Sequence, residues 1–288
     1  MIYLLLAIFG SGVIPVIFRA FEGWRVNLFW AIPVNYLTCV FIGALFTGSS
    51  MQAAVLSSRP WIVLAALQGF LLAVNFFLLA YTAQRAGVAI AALASRLSVA
   101  IPSVLAFVLY GDSLTAVKIA GLMAALAALY LCTAPEKNSS KLGSRLFHLL
   151  PLLVFATFGC YFTILKYLQS HYLDQTTYHA YVMLGFVFAF VSSVAIGLGK
   201  GGKPAANFRA VHVGAGLALG LINYFTVYAL LRVLAMQGWE SSQVYPIYSV
   251  GVVGVSTLLA FLFFRERLSR QKALGLGIGV LAVALLNR

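Results

Sequence analysis

The chain has 288 residues, of which 62% are hydrophobic and only 9% charged. A soluble domain carries about 25% charged residues, so this one has too few to cover a surface in water. A soluble enzyme, a nucleic-acid module and a disordered protein are excluded together. The net charge of +13 arises from 19 Lys and Arg against 6 Asp and Glu. The basic residues sit at the ends of apolar runs, which reads as membrane topology rather than affinity for nucleic acid.

Crossing a bilayer core takes roughly 20 apolar residues in a helix. By that measure the sequence divides into ten runs, 2–18, 28–47, 61–83, 86–109, 114–133, 146–168, 177–198, 211–234, 238–263 and 270–286. The first opens on Ile-Tyr-Leu-Leu-Leu directly after Met1, without the basic segment of a secretory signal, and is expected to be a mature helix. Backbone groups in lipid must be satisfied within their own segment, and no run alternates in polarity. Helices are therefore expected and barrel strands are not.

The longest polar stretch, Ala134–Arg145, falls near the middle and predicts a linker over 134–145 between five-helix units at 1–133 and 146–288. The two units end alike. Leu105-Ala106-Phe107, Asp112, Leu114, Lys118 and Gly121-Leu122 coincide at constant offset with Leu259-Ala260-Phe261, Glu266, Leu268, Lys272 and Gly275-Leu276. A weaker echo joins Asn75-Phe76-Phe77 to Asn223-Tyr224-Phe225. Five helices is an odd number, so the second unit must run opposite to the first. The expected fold is an all-α integral membrane protein of ten transmembrane helices in two inverted five-helix repeats. Loops after odd-numbered runs hold 13 Lys and Arg and the opposite side 5, with Arg96 left inside a run. That bias places the odd loops in the cytoplasm and both termini outside.

Phe107–Leu131 and Phe261–Leu285 each combine a Phe-rich helix end, an acid-Xaa-Leu turn and a Gly-rich last helix. In this the chain resembles the drug/metabolite transporter (DMT) superfamily, EamA type. The Gly-Glu pair usual in that turn stands here as Gly111-Asp112 and Arg265-Glu266. The resemblance implies a transporter in the cell membrane, a central cavity bounded mainly by helices 3, 4, 8 and 9, and termini in the cytoplasm, opposite to the loop charges.

Among residues that could carry chemistry, Arg96 stands out. It lies midway along the fourth run, where a charge costs at least ~2.5–3.5 kcal/mol and needs a partner or a wet cavity. Its planar fork suits the carboxylate or phosphate of a substrate. Alternatively it pairs with Glu240, the one acid near the membrane core, as a gate or proton-coupled site; packing against helix carbonyls is the structural reading. The ninth run begins with Glu240, Gln243, Tyr245 and Tyr248 around Pro246, and Pro102 interrupts the fourth; these polar residues read as cavity lining or as an interfacial belt beside a proline kink. Asn75 and Asn223, related by the repeat, read as substrate contacts or interhelical hydrogen bonds. Packing is expected for Asn35, Tyr36 and Gln68.

Asp112 and Glu266 are expected to cap the helices that follow them. Gly121, Gly275, Gly277 and Gly279 allow close helix contact, either between the two halves or across a homodimer face. Cys39, Cys132 and Cys160 read as small packing residues. The four histidines show no ligand spacing, so no metal and no cofactor is expected. Nor is there a phosphate-binding loop or a deep nucleophile–base–acid set, which argues against an ATPase and against an enzyme. The sequence thus points to a secondary-active transporter of a small, anionic or zwitterionic metabolite, working by alternating access with proton coupling through Glu240. The competing readings are a lipid-linked carrier or flippase on the same fold, and a non-transporting membrane protein.

Overall fold

A computed structural model describes residues 1–47, 61–98, 100–102, 105, 115–133, 145–172, 178–199, 209–234, 241–266 and 269–286. Every element among them is helical. The helices are α1 Ile2–Gly23, α2 Leu28–Thr47, α3 Ile62–Arg85, α4 Val88–Leu97, α5 Ala116–Thr133, α6 Arg145–His171, α7 Tyr178–Gly199, α8 Ala210–Leu234, α9 Ser241–Phe264 and α10 Arg270–Leu286. Their starts and ends follow the apolar runs closely, because a chain in hydrocarbon has no other way to pair its N–H and C=O groups. Seven are long and apolar enough to cross a membrane, whereas α4 has 10 residues, α10 has 17 and the apolar part of α5 spans only Ile119–Ala128. Side chains such as Val63, Phe41, Phe46, Phe261 and Phe263 lie 62–76% exposed. A soluble protein does not present so much apolar surface to water, whereas acyl chains accept it at no cost. The protein is a multi-pass membrane protein.

The fourth run differs from expectation. Its helix closes at Leu97 rather than continuing unbroken toward residue 109; residues 99, 103, 104 and 106–109 lie outside the described residues. Ser95 Oγ donates to Ala92 O at 2.8 Å and Ser98 Oγ to Ser95 O at 2.6 Å. These hydroxyls compete with backbone amides for the ladder carbonyls. The next backbone bond, Ile101 N–H to Ser98 O at 3.1 Å, is of the tighter three-residue kind. Arg96 therefore sits in the last turn of a short helix, whose carbonyl end favours a cation.

The helices group into two compact units. One comprises Met1–Ala20, Leu78–Gly159 and Phe225–Arg288, the other Phe21–Phe77 and Cys160–Tyr224. Each draws on both halves of the sequence. In the first, α5 packs along α10, and α9 lies against α4 and α10. Gly121 of α5 and Gly275 of α10 are both buried, and Gly279 meets Leu93 of α4, so these glycines serve packing between the sequence halves. A core of Leu4, Ala7 and Ile8 from α1 with Ala229 and Val233 from α8 and Val244, Tyr248 and Val252 from α9 completes it. In the second unit α2 packs along α7. Gly216 and Gly220 of α8, four residues apart, let that helix touch the backbone of α2: a Cβ at either would lie 2.7 Å from Ala31 O or Asn35 O.

Glu266 does not cap the helix that follows it. Both its oxygens lie 3.2 Å from the Val88 backbone N and accept its N–H, at the N-terminus of α4, after Gly87 at φ +110°. The start of α10 is held instead by Ser269, whose hydroxyl accepts the Lys272 N–H at 3.4 Å. Asp112, the repeat-related acid, lies outside the described residues. Sequence spacing cannot distinguish a local cap from one given to a helix 178 residues away, since both need only an acid beside free N–H groups. Glu266→Ala should lower the midpoint of thermal unfolding by an amount equivalent to ~1 kcal/mol, the usual cost of losing a cap. An unchanged melting curve in detergent would rule this cap out as a source of stability.

The residue before it, Arg265, is left-handed at φ 51° and ends α9 by donating its N–H to Phe261 O at 3.1 Å. This is the position where the first half carries Gly111. Arg265→Gly should therefore raise the melting temperature, relieving roughly 0.5–1 kcal/mol of backbone strain net of glycine's extra unfolded entropy. A lower melting temperature would contradict it.

Of the cysteines, Cys39 is buried as expected, while Cys160 is exposed on α6; a small thiol costs nothing against an apolar surround. The Cys132 side chain lies outside the described residues.

Candidate functional site

In the first unit, α4, α9 and α1 bring three polar side chains together. The Arg96 guanidinium carbon lies 4.9 Å from the centroid of the Tyr248 ring. The Tyr248 hydroxyl is hydrogen-bonded to Ser11 Oγ. Tyr248 is 6% and Ser11 7% exposed, whereas Arg96 is only partly buried. The helices meet closely here: Ser256 Oγ donates to Gly12 O at 3.0 Å, and a Cβ at Gly12 would come within 2.6 Å of Val255. The Gly10-Ser11-Gly12 step in an otherwise apolar helix is the sequence signal for that approach, and Ser11 is the site residue that sequence reasoning missed.

The arrangement covers one face of the guanidinium with an aromatic ring, worth about 0.5–2 kcal/mol depending on desolvation. It leaves the donors open. Arg96 Nε is buried without a hydrogen-bond partner, and no carboxylate pairs with Arg96 among the described residues. A guanidinium has five N–H donors and no other way to satisfy them than with acceptors. The site is built to take an anion, with a planar fork fixed by the ring beneath it.

The structure thus unites Arg96 with Tyr248. Glu240 lies outside the described residues, as do the side chains of Gln243 and Tyr245, so the Arg96–Glu240 pairing has no described geometry. Asn75 and Asn223 belong to the other unit. There Asn223 Nδ2 donates to Asn35 Oδ1 at 3.3 Å and to Cys39 Sγ at 3.7 Å, an interhelical hydrogen bond of the packing kind. Tyr36 donates its hydroxyl to Leu72 O at 2.9 Å. Asn75 and Gln68 are both buried, and neither amide has a partner among the described residues. No group of three or more metal-ligating side chains occurs among the described residues.

Known proteins place this architecture. Over 97% of its length the chain is 22% identical to an uncharacterized protein of Haemophilus influenzae, covering 95% of that protein. A crystal structure sharing 17% sequence identity superposes with a TM-score of 0.59, spanning 99% of this chain and 94% of the other, which establishes a shared fold. The model of the EamA-like transporter family matches residues 145–288, half of the sequence. The chain belongs to the EamA-like transporter family.

Proposed function

We propose that this protein is a secondary-active transporter of a small anionic or zwitterionic metabolite, with Arg96 as the residue that holds the substrate's negative group. The observation that carries the reading is the guanidinium itself: part-buried at the carbonyl end of α4, backed by the Tyr248 ring, with its Nε unfilled. A purely structural arginine in a membrane interior would be expected to spend its donors on carbonyls or carboxylates.

Family membership supports transport rather than catalysis. The gapless match of Leu105–Leu122 to Leu259–Leu276 supports ten spans in two inverted repeats, with the family match over 145–288 lying on the second. Alternating access would then expose the Arg96 site to either side in turn. Proton coupling through Glu240 belongs to the same proposal. The test is counterflow of anionic metabolites in proteoliposomes, comparing the wild type with Arg96→Ala and Arg96→Lys. Transport indifferent to both substitutions rejects the assignment.

A further inference from the structure

The face of α3 that packs into the second unit carries a line of polar side chains. Trp61, Gln68 and Asn75 follow one another at seven-residue intervals, about 10 Å apart along the axis and on one face of the helix. They are 1%, 3% and 0% exposed. Trp61 Nε1, both polar atoms of Gln68 and both of Asn75 lack hydrogen-bond partners among the described residues. Their surroundings are aromatic and aliphatic. Tyr181 stands edge-on to Trp61 at 6.2 Å, with Ala65 and Leu168 in the same cluster, and Tyr36 spends its hydroxyl on Leu72 O between the two amides.

Two carboxamides left dry and unpaired would each cost several kcal/mol in an apolar interior. Helix packing alone does not explain them, because Asn223 shows how such an amide is satisfied when a neighbouring helix supplies the partner. Each free carboxamide offers a donor beside an acceptor and no net charge. Its complement is an uncharged group of the same kind, an amide or a pair of neighbouring hydroxyls. We propose that Gln68 and Asn75 form a hydrated binding track that recognises such uncharged groups on the transported solute. The solute role rests on the transporter reading; the hydration of the track does not.

The test uses the full chain in lipid nanodiscs with Cys39, Cys132 and Cys160 replaced by serine. Single cysteines are then introduced as Gln68→Cys, Asn75→Cys and, as a buried control off the line, Ala73→Cys. A charged, water-soluble thiosulfonate should label positions 68 and 75 severalfold faster than 73. Excess N-acetylglycinamide or glycerol should slow that labelling, and sodium acetate should not. Labelling at 68 and 75 no faster than at 73 overturns the hydrated track. Labelling that neither neutral probe slows, or that acetate slows equally, overturns the recognition of neutral groups.

Gln68→Leu with Asn75→Leu is a second, independent arm. The ligand-free double variant should melt no lower than wild type, since it removes only unpaired polar groups, and should lose any stabilisation by the neutral probes. A clear fall in melting temperature would show that the amides serve packing and would overturn the proposal. Flux unaffected by Arg96→Ala, with the labelling pattern intact, would fail the Arg96 assignment and leave the track standing.

Discussion

Arg96→Ala should reduce counterflow of anionic metabolites by roughly 10–100-fold, the loss that follows from removing a charged hydrogen-bonding partner worth about 1.5–3 kcal/mol. The variant should still fold. It deletes a cation whose Nε has no protein partner, so the cost to the empty protein is confined to the contact with the Tyr248 ring. Arg96→Lys should recover only part of the activity, since an ammonium restores charge without the planar fork. Tyr248→Phe keeps the ring and loses the bond to Ser11. It should therefore alter transport less than Tyr248→Leu, which removes the platform. The pattern is read from initial rates at matched reconstitution. Equal effects of Phe and Leu at 248 would show that the hydroxyl, and not the ring, supports the arginine.

Gly216→Leu combined with Gly220→Leu should abolish folding of the protein in detergent, seen as loss of the monodisperse peak in size-exclusion chromatography. In lipid there is no hydrophobic drive between helices, so association depends on close packing. The atoms a Cβ would meet are the carbonyl oxygens of Ala31 and Asn35, at 2.7 Å, and these cannot move without displacing α2. The same approach lets Cys39 Sγ reach Gly220 O at 3.5 Å and Asn223 reach Asn35. Overpacking typically costs about 1–3 kcal/mol per site, and two sites one turn apart on one seam exceed what a marginally stable fold tolerates. Gly214→Ala is the control: nothing lies within 4 Å of a Cβ there, and the variant should behave as wild type. A folded Gly216→Leu/Gly220→Leu protein would mean that α2 and α8 do not depend on this contact.

The helices were legible in the sequence because lipid leaves the backbone a single option, so apolar length alone marks each segment; membership of the transporter family was legible from the Phe107–Leu131 and Phe261–Leu285 matches. Arg96 was legible too, since a charge within an apolar run is conspicuous wherever its helix ends. The partners were not. Helices apolar on every side carry no periodicity to tell which face turns inward. Only the packing decided that Tyr248 lies beneath Arg96, that Ser11 meets Tyr248, and that Glu266 serves Val88 rather than its own helix. Asn75 and Asn223 look equivalent by repeat, yet one is satisfied by Asn35 and the other is buried without a partner. A polar group's role in a membrane is set by what stands opposite it, and that is a property of helix pairs, which no single segment of sequence contains.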